Sequence, residues 1–133
     1  MSIKLEGKMS VFGGPHDTGV TKSEGLALFD HNDVQHYPEL FLKEQPHGTT
    51  GVARRLNPDA YYLACRWDYS VTSRNHLRSI KVKVTNPKTG ESLMAQPCDW
   101  GPNHNTGRIA DLSPGLAKAL DLDTNDICRV EID

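Results

Sequence analysis

The sequence contains no apolar run long enough to cross a membrane, since a spanning helix needs about 20 consecutive apolar residues and the 37% of hydrophobic residues are dispersed among polar ones. The opening residues, MSIKLEGKMS, also lack the apolar segment of about 7–15 residues that a secretory signal requires. We therefore expect no membrane span. The protein is expected either to be cytoplasmic or to be exported by a non-classical route.

An excess of positive charge is equally absent. The chain has 15 Lys and Arg against 17 Asp and Glu, a formal net charge of -2, and a pI near 6.3. Nucleic-acid-binding domains usually have a basic face or a pI above about 9, so we expect no nucleic-acid partner. With 133 residues, of which 24% are charged, the composition is that of a soluble globular protein with one domain over 1–133.

Cysteine is scarce, and its spacing excludes the common metal motifs. Cys65, Cys98 and Cys128 form no CxxC or zinc pattern. We expect three buried thiols, although one disulfide with one free thiol remains an alternative. The six histidines show no HxH or HxxxH spacing, and we expect neither a metal site nor a cofactor.

The 11 glycines and 8 prolines favour turns over long helices. In SIKVKVT, Val82 and Val84 alternate with Lys81 and Lys83, which is typical of a half-buried strand. The pattern predicts strands at 9–12, 26–29, 61–68, 79–85, 91–97 and 127–132, the fourth and fifth joined into a hairpin by the turn NPKTG.

Helical signals are few. Ser113 is a suitable N-cap and Pro114 a suitable first helical residue, so a short helix is predicted over 113–120. Between 31 and 58 the chain is rich in polar turn signals, which predicts a long irregular excursion with a helical turn near 38–43. One interpretation of this excursion is a lid. The whole is mostly β, and closure into a barrel would remove the exposed edges of so small a sheet.

The densest group of polar residues is CDWGPNHNTGRIADLSP, residues 98–114. It places Asp99 and Asp111 on either side of a loop rich in Gly, Pro and Asn. Cleavage of a glycosidic bond uses two carboxyl groups, one to protonate the leaving oxygen and one as base, nucleophile or charge stabiliser. Trp100 would offer a sugar ring an apolar platform. Alternatively, Asp99 orders the loop and Asp111 helps Ser113 to cap the helix.

The segment 82–120 resembles the second half of the double-psi β-barrel found in rare lipoprotein A and expansins. The matching motifs are VTN at 84–86, Gly90, DWGP at 99–102 and GRIADLS at 107–113. The segment 9–29 is more loosely similar to the opening of expansins, whereas 31–78 departs from the pattern. The resemblance implies a six-stranded double-psi β-barrel with one or two short helices and a long loop excursion in its N-terminal half.

The resemblance also implies a function on cell-wall polysaccharide, with cleavage or loosening of peptidoglycan strands through an aspartate pair in a surface groove. Asp111 would be the general acid and Asp99 the base or charge stabiliser, and Arg108 would orient an aspartate. The substrate-binding residues would be Trp100, His104, Asn105, Arg108, Asp17 and Thr18. Asp17 is nearest to the N-terminal acidic residue of the related family-45 glycoside hydrolases.

Three alternatives remain open from the sequence. Wall-active relatives have a histidine before the central strand, where this chain has Arg54 or Arg55, which favours a non-catalytic, expansin-like glycan-binding module. The missing signal peptide favours a structural component of a phage tail or secretion apparatus. The third alternative is a thiol mechanism, with Cys98 as the nucleophile and His104 as its base.

Overall fold

The computed structural model describes residues 3–133, and its six strands close into a barrel. The strands are β1 (Ile3–Val11), β2 (Tyr62–Cys65), β3 (Val82–Thr85), β4 (Ser92–Trp100), β5 (Arg108–Leu112) and β6 (Ile127–Ile132). Around the barrel their order is β1-β5-β2-β4-β3-β6, and β6 pairs with β1 to complete it. The predicted mostly-β class and six-stranded barrel are confirmed.

The strand directions give the barrel an internal two-fold relation. The pairs β1/β5 and β2/β4 are parallel, and the other four pairs are antiparallel. Exchanging the first three strands with the last three reproduces the same neighbours in the same directions. Each parallel pair also contains a register shift, after Lys8 in one and after Leu63 in the other. This is the two-fold arrangement expected of a double-psi barrel.

Two short α-helices accompany the barrel, α1 (Arg74–Ser79) and α2 (Pro114–Ala119), with 3-10 helices at His31–His36 and His104–Thr106. The helix predicted after residue 113 is confirmed, because the Ser113 hydroxyl accepts a hydrogen bond from the Leu116 backbone N–H at 3.1 Å. No helix within residues 3–133 is long and apolar enough to span a membrane.

The predicted alternation in β3 agrees with the structure, and β6 alternates in the same way. Val82 and Val84 are buried while Lys83 between them is exposed, and on β6 the buried residues are Cys128, Val130 and Ile132. All three cysteines are buried and free, which confirms the prediction of buried thiols.

Several predictions of secondary structure are corrected. The predicted strand 9–12 belongs to the longer β1, which begins at Ile3, and the predicted strand 61–68 is shortened to Tyr62–Cys65. Residues 26–29 form no strand, although Leu28 is buried and its N–H donates to the Cys98 carbonyl at 3.2 Å. The predicted strand 79–85 begins only at Val82, since α1 extends to Ser79 and Ile80 is its C-cap. Strand β5 was not predicted. Near 38–43 the chain makes a turn, followed by a bridge from Phe41 to Leu56.

Candidate functional site

The two aspartates singled out in the sequence lie in one row across three neighbouring strands. Ala64 on β2 pairs with Asp99 on β4 and with Asp111 on β5. Paired residues point to the same face of a sheet, and adjacent strands are about 4.8 Å apart. The Cα atoms of the aspartates are therefore about 9.6 Å apart, two strand spacings. The side chain between the two aspartates is the small methyl group of Ala64, which leaves free space between the two carboxyl groups.

This row forms the floor of an open groove of about 440 Å³. Five of the predicted site residues line it, namely Asp17, Asp99, Trp100, Arg108 and Asp111. Asn103, Thr106 and Glu24 line it as well and were not predicted. The groove thus contains four carboxyl groups and one guanidinium.

Asp111 is half-buried, and its carboxyl group accepts no hydrogen bond from residues 3–133. Burial raises its pKa to about 6. The charges of Asp99 and Asp17 add to this rise, and the charge of Arg108 opposes it. A carboxyl group in this environment retains its proton much closer to neutral pH than an ordinary aspartate.

Asp99 has a different environment on the other side of Ala64. Its Oδ1 accepts hydrogen bonds from the backbone N–H groups of Ala27, at 2.9 Å, and Trp100, at 3.0 Å. Burial raises the pKa of Asp99, the two N–H donors lower it, and the charge of Glu24 raises it. Asp99 therefore also fixes the loop at Ala27 against β4, which is a different loop from the one between Asp99 and Asp111 that the alternative interpretation had it order.

Arg108 is held at the edge of the groove by Asn125, whose Oδ1 accepts from its Nε at 3.1 Å. It forms no ion pair with Asp111 among the described residues. Its influence on that carboxyl group is therefore electrostatic and acts over a longer distance. The orienting contact predicted for Arg108 is absent from this arrangement.

Asp17 closes the turn that forms one wall of the groove. Its Oδ2 accepts from the Gly13 N–H at 2.6 Å, and its Oδ1 accepts from the Gly19 N–H at 2.9 Å. The turn is thus tied at both ends to one side chain. Thr18 lies within it but is exposed and does not line the groove.

Trp100 provides the apolar surface of the opposite wall. Its Nε1 donates to the Trp67 carbonyl at 3.0 Å, while 44% of the residue remains exposed. One end of the indole is therefore fixed and its face is accessible to a ligand. His104 and Asn105, on the exposed 3-10 helix that follows, do not line the groove.

The excursion at 31–58 packs against the wall of the groove that carries Glu24. None of its residues lines the groove, so it does not form the lid suggested by one interpretation. The N–H groups of Thr50 and Gly51 donate to the Lys22 carbonyl at 2.8 and 2.9 Å, and Ala53 N–H donates to the Glu24 carbonyl at 3.2 Å. A Cβ atom at Gly51 would overlap that Glu24 carbonyl. Glycine at this position allows the excursion to hold the wall that carries Glu24.

Thiol chemistry does not fit the site. Cys98 is completely buried, and burial raises the pKa of its thiol well above the ordinary value. A cysteine nucleophile must be an accessible thiolate, so the alternative mechanism through Cys98 is contradicted. Residues 3–133 contain no group of three His, Cys, Asp or Glu side chains placed to hold a metal ion.

No protein-family model matches the chain, and no curated protein is significantly similar to it in sequence. The function is therefore argued from the groove and its chemistry.

Proposed function

We propose that the protein binds a cell-wall glycan, of the peptidoglycan class, in the groove and cleaves it with Asp111 as general acid. The observation that carries this proposal is the state of Asp111. It is a half-buried carboxyl group to which no group within residues 3–133 donates a hydrogen bond, its pKa is raised to about 6, and it faces an open groove.

The two aspartates have the contrasting environments that acid catalysis with a charged partner needs. Burial raises the pKa of both aspartates, to about 6 at Asp111, but at Asp99 two backbone N–H donors oppose the rise and stabilise the carboxylate. Such a contrast separates a proton donor from a base or charge stabiliser. The proton of Asp111 would pass to the glycosidic oxygen as its bond to carbon breaks, and Asp99 would stabilise the positive charge that develops on the sugar. Water, or a hydroxyl group of the same sugar, would then bond to that carbon, and the proton that it releases would return to Asp111.

The shape of the groove supports a polymeric ligand. It is open to solvent, and Ala64 leaves the space between the two carboxyl groups free. The exposed face of Trp100 lies on the wall beside this space. A sugar ring stacked there would place its glycosidic bond over the row of aspartates, and both ends of the chain would extend beyond the groove.

A second candidate function, glycan binding without cleavage, is favoured by two contacts. Both backbone hydrogen bonds to Asp99 end on Oδ1, so this carboxylate serves the loop as well as the groove. Arg108 bonds to Asn125 instead of an aspartate. Under this alternative the groove would hold the polymer and release no product.

Incubation with purified peptidoglycan, followed by chromatography of the supernatant, distinguishes the two functions. We expect soluble muropeptides that increase with time, because the bond over Asp111 is broken at each turnover. The control is the same protein heated until it unfolds. Saturable binding to insoluble peptidoglycan with no soluble sugar above that control would contradict cleavage and support the binding module.

A further inference from the structure

A second, apolar recess borders the groove at Asp17. Val11, Phe12 and Asp17 line both spaces. The recess has a volume of about 360 Å³. Its other walls are mainly three prolines, Pro15, Pro58 and Pro114, together with His16 and the turn at Gly13 and Gly14.

The backbone around the recess directs its polar groups into the protein. The Phe12 carbonyl accepts from the Tyr62 hydroxyl at 2.8 Å, and the Pro58 carbonyl accepts from the Gly115 N–H at 2.8 Å. The Gly14 N–H donates to the Ala53 carbonyl at 3.1 Å. Each of these groups is therefore already paired inside the protein, and the surface that the recess presents is formed mainly by the prolines, Val11 and Phe12.

The polar side chain at the junction is also occupied. Each carboxylate oxygen of Asp17 accepts a backbone N–H, from Gly13 and from Gly19. A hydroxylated sugar ring in the recess would find few partners besides His16 and Asp17 for the hydrogen bonds that it gives up to water, which is costly. An alkyl chain would lose none and would gain from burial.

We propose that the recess is a subsite for the apolar acyl substituent of a glycan whose backbone lies in the groove. This inference rests on the proposed function, because the substituent must be carried there by the bound sugar chain. A volume of about 360 Å³ equals the share of roughly a dozen waters at about 30 Å³ each. The recess therefore has room for chains longer than acetyl.

The test measures binding of glucosamine oligosaccharides acylated on nitrogen with acetyl, propionyl or butyryl groups. All members have the same backbone and charge, so they differ only in the length of the alkyl chain. Isothermal titration calorimetry is carried out on Asp111→Asn, which keeps the ligands intact. We expect Kd to fall about fourfold for each added methylene, the effect of burying one such group. The same acyl groups esterified to sugar hydroxyls form a second series, which distinguishes an oxygen-linked from a nitrogen-linked substituent.

A charge in the recess should abolish this dependence. Pro114 is the first residue of α2, where an acidic side chain is favourable to a helix, so Pro114→Glu is expected to fold. Combined with Asp111→Asn, it should bind all three acyl lengths with equal Kd. The matched control is Ala119→Glu, which adds the same charge at an exposed position of α2 outside the recess and should keep the fourfold steps.

The outcomes separate this inference from the proposed function. Equal Kd values across both series, with the oligosaccharides still bound, would overturn the acyl subsite and leave glycan binding intact. Fourfold steps that persist in Pro114→Glu would also overturn it, since the alkyl chain would then lie elsewhere. If no oligosaccharide binds and no product is released from peptidoglycan, the proposed function fails and the subsite fails with it.

Discussion

Asp111→Asn is expected to lower the rate of glycan cleavage by at least about 100-fold, because a positioned general acid contributes about 10²–10⁴ to the rate. Asparagine has nearly the same shape as aspartate but carries no acidic proton. Because the Asp111 carboxyl accepts no hydrogen bond from residues 3–133, the substitution breaks no contact within the protein. The measurement is the initial rate of release of soluble fragments from peptidoglycan, together with the fraction of protein bound to the insoluble polymer.

Asp59→Asn is the matched control, since Asp59 is exposed and does not line the groove. It should retain the wild-type rate. Binding to the polymer should be similar in both variants and in the wild type. An Asp111→Asn variant that cleaves at the wild-type rate would remove Asp111 from the mechanism. One that loses binding as well as cleavage would show that Asp111 serves mainly to hold the ligand.

Gly51→Ala is expected to lower the free energy of unfolding by about 3 kcal/mol, the upper part of the range for an overpacked site. The added methyl group would overlap the backbone of Ser23 and Glu24. The two hydrogen bonds to the Lys22 carbonyl from Thr50 and Gly51 would then have to lengthen or break. Urea denaturation followed by circular dichroism measures the loss.

Gly25→Ala provides the comparison in the same wall of the groove. A Cβ atom at Gly25 meets no atom within 4 Å, so its stability should stay within about 0.5 kcal/mol of the wild type. Equal stability of the two variants would mean that the excursion does not press against the wall at Gly51. The groove would then owe its shape to the barrel alone.

Five of the six strands were predictable at least in part, and the clearest signal was the alternation in β3 and β6. In β3 and β6 the buried and exposed residues alternate in the sequence as they do in the barrel. Strand β5, RIADL, follows a polar loop and is short, so its pairing with β1 and β2 depends on residues far away in the chain. The apolar run at 26–29 is buried by loop packing, which periodicity cannot distinguish from a strand.

The sequence likewise predicted only some of the residues of the candidate site. Asp99 and Asp111 drew attention through their spacing and the family resemblance, and the strand register explains why they share one face. No feature of the sequence identified Glu24 as a groove residue, because the excursion near Gly51, more than 20 residues later, holds it in the wall. The apolar recess was also not predictable from the sequence, since it is assembled from prolines in three separate segments.

The central claim is that Asp99 and Asp111 converge in one groove, where Asp111 keeps its proton close to neutral pH. Burial favours the neutral form of Asp111, so its pKa in the folded state lies above the ordinary 3.8, at about 6. Its neutral form therefore stabilises the fold at low pH, and this contribution is lost as the pH rises through about 6. Asparagine at position 99 would keep an oxygen for the two N–H donors but would remove the negative charge.

The most direct measurement is a titration of the Asp111 carboxyl carbon by NMR in the wild type and in Asp99→Asn, with Asp111→Asn used to assign the signal. We expect a pKa of about 6 in the wild type and a lower value in Asp99→Asn, because the neighbouring charge that opposes ionisation is gone. An ordinary aspartate pKa in the wild type, or a value that Asp99→Asn leaves unchanged, would contradict the account.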